Sequence, residues 1–157
     1  MKLIKSDLIL EDFFIINSSY NFIEPEKNSS INPKDLIKDY DIDIDFMVRD
    51  VKNEENKYLV FAKIEINKLN DILPGYSMFV EGISVYSFDR ETKLNDKQKS
   101  DFLWSSGVSI SINSLRSYLS SMTSFFPLGK YALPSVDLTT LLNQKRESLI
   151  QKNNKKK

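Results

Sequence analysis

Leu115-Arg116-Ser117-Tyr118-Leu119-Ser120-Ser121-Met122-Thr123-Ser124-Phe125-Phe126-Pro127-Leu128-Gly129 is the stretch on which the fold of this chain turns. Leu115, Tyr118, Leu119, Met122 and Phe126 recur at i, i+3, i+4, i+7 and i+11, which lays them along one stripe of a helix. Ser117, Ser120, Ser121 and Ser124 fall on the opposite stripe. Pro127 and Gly129 end the helix, because proline cannot continue the backbone ladder and glycine takes a left-handed conformation just beyond it. After a loop over 130–134, Ser135 or Asp137 can cap a second helix, whose Leu138, Leu141, Leu142 and Leu149 make another apolar stripe. The unit is helix, apolar loop, helix.

Upstream the period changes. Tyr40, Ile42, Ile44, Phe46 and Val48 alternate with Asp41, Asp43, Asp45 and Met47, the pattern of a strand with one core face and one acidic face. A turn at 53–56 leads to Tyr58, Val60, Ala62, Ile64 and Ile66, set against Lys63, Glu65 and Asn67, so the two strands predict an antiparallel hairpin. Leu73-Pro74-Gly75 breaks the chain before a last strand over 76–88 with apolar groups on both faces. Residues 8–16, rich in Leu, Ile and Phe, predict a first strand that resumes over 18–23 after a bend. Residues 24–38 hold Pro25, Asn28, Ser29, Ser30, Asn32 and Pro33 and read as a long surface connection. Residues 89–106 predict a polar loop entering a short helical turn at Phe102-Leu103-Trp104, and Val108, Ile110 and Ile112 alternate with serines as a short strand would. Strands followed by helices, without βαβ alternation, predict an α+β fold: a four-stranded antiparallel sheet with two C-terminal helices packed on one face. The domain is expected over 1–150, with a flexible basic tail at 151–157.

A chain of 157 residues suits one domain. Lys plus Arg and Asp plus Glu are equal at 22 each, so no general attraction to nucleic acid or an anionic membrane is expected. With no cysteine and no histidine, thiolate zinc ligation, thiol nucleophiles and Ser-His-Asp arrangements are excluded. Only carboxylates and lysines remain for acid-base work, at no recognisable spacing, so neither an enzyme nor a cofactor is expected. An EF-hand starting at Asp41 would need glycine where Phe46 stands and glutamate where Lys52 stands, so no metal is expected. No apolar run approaches the roughly 20 residues that span a bilayer. Asp7, Glu11 and Asp12 interrupt any signal-peptide core after Lys2 and Lys5, which predicts a soluble, cytoplasmic protein.

The order of residues over 115–123, then Phe126-Pro127, then 133–142, resembles the carboxy-terminal signature of the SecB export-chaperone family. There an arginine opens an apolar helix, an aromatic-rich loop follows, and a Leu-x-Pro-Val-x-Phe-like element starts the last helix. Phe79-Val80-Glu81-Gly82-Ile83 is similar to the end of that family's last strand. The resemblance implies that 108–112 belongs to the long helix and that 24–38 is a crossover walling one side of a client groove. It further implies an ATP-independent holdase that binds unfolded polypeptides, exported preproteins or an antitoxin, and assembles as a dimer of dimers through the first long helix.

Each candidate site has a plainer rival. Phe125, Phe126, Tyr131, Leu133, Leu138, Leu141 and Leu142 are the candidate client groove; otherwise they complete the core between helix and sheet. Ser117, Ser120, Ser121 and Ser124 are the candidate oligomer interface; otherwise they are a solvent face. Asp41, Asp43, Asp45 and Glu65 are, by the resemblance, a candidate surface for docking the translocase motor SecA; otherwise they keep a sheet face soluble. Arg116 either bridges helix to sheet by an ion pair, contacts a neighbouring subunit or is simply exposed. The basic tail with Lys152 and Lys155 to Lys157 departs from the SecB pattern at the place involved in motor docking. The alternative function is an α+β interaction module with one dedicated folded partner, which would expose little apolar groove.

Overall fold

Four antiparallel strands form one sheet: β1 (Leu8–Ile23), β2 (Ile42–Asp50), β3 (Lys57–Ile66) and β4 (Gly75–Phe88), in the spatial order β1-β4-β3-β2. The structure is a computed structural model that describes residues 5–154 apart from 28, 29 and 70. Asn53 and Asn56, at φ 65° and 58°, turn the β2–β3 hairpin. The bend expected near residue 17 is not a break. β1 runs through it with register shifts between Leu10 and Asp12 and between Ile15 and Asn17, and these extra residues blur its alternation.

One sheet face is dry. Val60, Ile64, Ile66, Tyr76, Met78, Val80 and Tyr86 are fully buried on it, beneath helix Val108–Thr123, whose Val108, Ile112, Leu115 and Leu119 close the core. A Cβ added at Gly82 would stand 3.0 Å from Leu115, from the Phe13 ring and from the Phe14 carbonyl, so glycine is what lets helix, β4 and β1 meet there. The opposite face carries half-buried Phe61, Phe79, Ile83 and Val85.

The connections hold more helix than their polarity suggests. Residues 24–41 include α1 (Pro33–Leu36), capped by the Asn32 side chain, and a 3₁₀ turn over Ile37–Asp39. They carry the chain from one sheet edge, β1, to the other, β2. The loop expected before Val108 is instead α2 (Asp96–Phe102), opened by a reciprocal capping box between Asn95 and Gln98. A π turn (Leu103–Gly107) then leads directly into α3 (Val108–Thr123). The Tyr86 hydroxyl donates to the Gly107 carbonyl at 2.8 Å, and Ser84 and Ser111 hydroxyls meet at 2.7 Å inside the core. Buried Ser111 and exposed Ile110 show that the alternation at 108–112 does not mark two strand faces.

The last helix, α4 (Leu138–Asn154), is capped by Asp137, which accepts from the Thr140 amide at 3.1 Å and its hydroxyl at 2.7 Å. It sits at the β2 margin of the helical face, with Leu138, Leu141 and Leu142 half-buried and no described residue fully buried. It runs four residues past the expected domain end at 150, and residues 155–157 of the expected tail lie outside the described residues.

Candidate functional site

β2 is an edge strand, and its ladder phase is fixed by two hydrogen bonds: the Asn67 amide to the Asp41 carbonyl at 2.8 Å, and the Val51 amide to the Lys57 carbonyl at 3.0 Å. Odd-numbered residues therefore bond to β3, and Ile44, Phe46 and Val48 turn their N–H and C=O groups outward. Among the described residues no strand pairs with that edge. α4 runs beside it, leaving two adjoining cavities. One, of about 260 Å³, lies between Asp43, Ile44 and Leu141, Gln144, Ser148; the other, of about 480 Å³, lies among Met47, Val48, Phe61, Trp104, Leu149 and Lys152. Both share Asp45, Phe46 and Lys145, so they form one groove along the strand edge.

Its floor is aromatic and its far wall cationic. Phe46 and Trp104 meet edge to face with centroids 5.3 Å apart. From α4, Lys145 Nζ lies 5.7 Å from the Phe46 centroid and the Arg146 guanidinium 5.9 Å from that of Trp104. Lys145 also pairs with Asp45, whose carboxylate accepts the Phe46 amide at 2.9 Å. Burial pushes the Asp45 carboxyl up, but the hydrogen bonds from Lys145 and Phe46, with the charges of Lys145 and Lys63, outweigh it and hold the group below the usual carboxylate range. A second cleft of about 550 Å³ separates the crossover residues Lys34, Ile37 and Lys38 from Ala132 and Pro134.

The residues read from sequence as a client groove divide. Phe125 is 92% exposed at the end of α3, whereas Phe126 stacks on Tyr20 at 3.9 Å. Leu141 lines the groove, and Leu138 and Leu142 pack against the core beside it. Tyr131 and Leu133 are core, which corrects their expected place on an open surface. The cause is local: the buried Thr123 hydroxyl accepts the Tyr131 amide at 2.7 Å and draws the loop inward, where burial pushes the Tyr131 phenol far up. Sequence reasoning missed Phe46, Trp104 and Lys145 as groove residues. Trp104, the one tryptophan of the chain, was the available signal.

Ser117, Ser121 and Ser124 are exposed and Ser120 is half-buried. Ser117 and Ser124 donate back to the Asn113 and Ser120 carbonyls at 3.0 and 2.8 Å, so half of the ridge hydroxyls are spent within the helix. Arg116 makes no ion pair among the described residues; it donates to the Pro134 carbonyl at 2.7 Å and to Asn113 Oδ1 at 3.3 Å, tying α3 to the loop before α4. The acidic set is not a bare row: Asp45 is paired with Lys145, Glu65 with Lys63 at 2.9 Å, and Asp41 accepts the Leu69 amide at 2.8 Å. Asp43 lines the groove. Among the described residues no cluster of acidic side chains is arranged to hold a metal, and no helix is long and apolar enough to cross a membrane.

No family model matches the chain, and no curated protein sequence does. Solved structures do. The Mycobacterium tuberculosis Rv1957 SecB-like chaperone, solved in complex with a ChAD peptide from the Rv1956 HigA1 antitoxin, superposes with a TM-score of 0.59 at 11% identity, over 83% of this chain and 91% of that one. A Streptococcus agalactiae protein of unknown function gives a TM-score of 0.41 at 8% identity, over 82% and 97%. At 11% identity the first likeness is one of fold: the antiparallel sheet and its helices are arranged as in a SecB-like chaperone.

Proposed function

We propose that this chain is an ATP-independent chaperone of the SecB-like type, which holds non-native polypeptide segments in the groove between β2 and α4. The observation that carries this reading is the edge of β2, unpaired among the described residues, lying alongside an apolar, aromatic-floored groove. An extended segment laid there pairs its main chain with Ile44 and Val48, while its alternate side chains on the helical side reach Trp104 and Leu149. Main-chain bonds and apolar contact both tolerate many sequences, as a holder of unfolded chains requires. No covalent step is involved. Clients are selected by how long they expose apolar segments before folding. The peptide held by the M. tuberculosis neighbour supports a polypeptide client, whether a preprotein or an antitoxin.

The test is dilution of a slow-folding unrelated protein from denaturant without ATP. The chain should suppress its aggregation, and Leu149→Asp, on the exposed rim, should lose that effect while circular dichroism stays unchanged. Trp104 supplies a direct reading, since a tryptophan-free apolar peptide entering the groove should shift its emission. A wild-type chain that neither suppresses aggregation nor shifts in emission would overturn the proposal.

A further inference from the structure

We infer that Asp45 is a latch on the β2 edge, held by α4, which a client segment must displace; this rests on the groove being a polypeptide site. The Phe46 amide points out of the sheet at the centre of the groove, where an added strand needs it as a donor, and the Asp45 carboxylate occupies it at 2.9 Å. Asp45 is the residue just before Phe46, so its side chain folds back over its own strand edge. Lys145 of α4 bonds the same Oδ1 and Lys63 of β3 adds its charge; Asp43 lies two residues before it on the strand, and Glu81, Lys152 and Arg146 are the other charged groups of the groove. A carboxylate braced by cations is a stronger acceptor than a peptide carbonyl, so a single contact does not open the edge.

The other sheet edge carries the same bond without a cation. In β4 the even-numbered residues bond to β3, as the Phe88 amide does to the Asn56 carbonyl at 3.2 Å, so Phe13, opposite Ser84, also turns its amide outward. The Asp12 carboxylate accepts that amide at 2.9 Å. An Asp-Phe pair thus closes each edge strand against stray pairing. Among the described residues no cation pairs with Asp12, whereas Asp45 is tied to a helix with no fully buried residue. Closure at β2 is therefore coupled to the position of α4. A segment that lifts α4 draws Lys145 from Asp45, which leaves the carboxylate held only by its own strand, as Asp12 is, and easier to turn away from the Phe46 amide by an incoming carbonyl. Asp45 sets the threshold, admitting segments that also fill the aromatic floor.

The experiment uses the full chain and a labelled, tryptophan-free peptide with apolar residues at alternate positions, with binding followed by anisotropy at low and high salt. Asp45→Ala should bind roughly tenfold tighter than wild type, the loss of one charge-assisted competitor. Wild-type affinity should rise with salt as the Lys145 pair is screened, and that of Asp45→Ala should not. Lys145→Gln, which leaves the strand untouched, should tighten binding in the same sense and keeps the test open if Asp45→Ala folds poorly. The same peptide methylated on alternate backbone nitrogens should show no gain. Equal affinity of variants and wild type, or a gain that survives methylation, overturns the latch and leaves the proposed function standing. Absence of binding by every form overturns both.

Discussion

Asn67 is fully buried at φ 54°, and its side chain donates to the carbonyls of Leu73 and Tyr76 and accepts the Leu73 amide, each at 2.8 Å. It thereby closes the turn between β3 and β4 from inside. In sequence it reads as the last polar residue of an alternating strand, because a buried asparagine in a left-handed turn looks the same in one dimension as an exposed one. Replacing it with alanine removes three bonds and leaves an unfavourable backbone, so Asn67→Ala should lose about 3 kcal/mol in urea denaturation. An unchanged midpoint would show that the turn closes without it. Asp45 makes a gentler demand. Its carboxyl is held below the usual range in the folded chain, so its contribution is complete above the unfolded value and is lost as pH falls through the lowered folded one. Asp45→Asn should therefore flatten the acid limb by lowering stability slightly at neutral pH, where the contribution is complete, while leaving the acid end, where Asp45 is already protonated, nearly unaffected; the loss is small because the pair is partly exposed.

Among the elements, α3 was legible and α4 only half so. The stripe of Leu115 and Leu119 is a strong signal because it faces a wide dry sheet. α2 was hidden: it is polar along its length, with only Phe102 apolar, and its start is set by side chains bonding backbone at Asn95 and Gln98 rather than by any periodic apolar face. For α4 the stripe was visible but its depth of burial was not, since Leu149 and Ile150 remain 40% and 60% exposed. Its hold on the body comes chiefly from half-buried leucines and from Lys145 and Arg146 set over two rings. Amide hydrogen exchange should therefore rank the two helices apart, with α3 protected close to the global limit and α4 exchanging orders of magnitude faster through local opening. Equal protection would make α4 part of the cooperative core and the groove a closed one.

At the scale of the whole molecule, alternation along the chain reveals four strands but not their order in space. That β2 ends as an edge, and so borders a groove, follows from β4 pairing with both β1 and β3, a long-range choice that no local spacing encodes. For this reason the sequence reading placed the groove among Phe125, Phe126, Tyr131, Leu133, Leu138, Leu141 and Leu142, of which Leu141 lines it, and missed the strand edge at Phe46. The same order leaves β1 as the other edge, with Ile9, Leu10, Phe14 and Ile16 between 40% and 49% exposed, and α3 presents Ile110 and the serine ridge outward. So much apolar surface on one chain favours self-association, and a ridge of small side chains, two of its four hydroxyls bonded back to the helix, lets a second helix approach closely. If that ridge is an interface, Ser121→Glu should lower the solution mass measured by light scattering, because a carboxylate would be buried there without a partner. The groove lies at the opposite sheet margin from β1, so peptide binding read from Trp104 should persist in the dissociated chain. Loss of binding together with mass would mean that a second copy completes the groove, and an unchanged mass would return the serines to solvent.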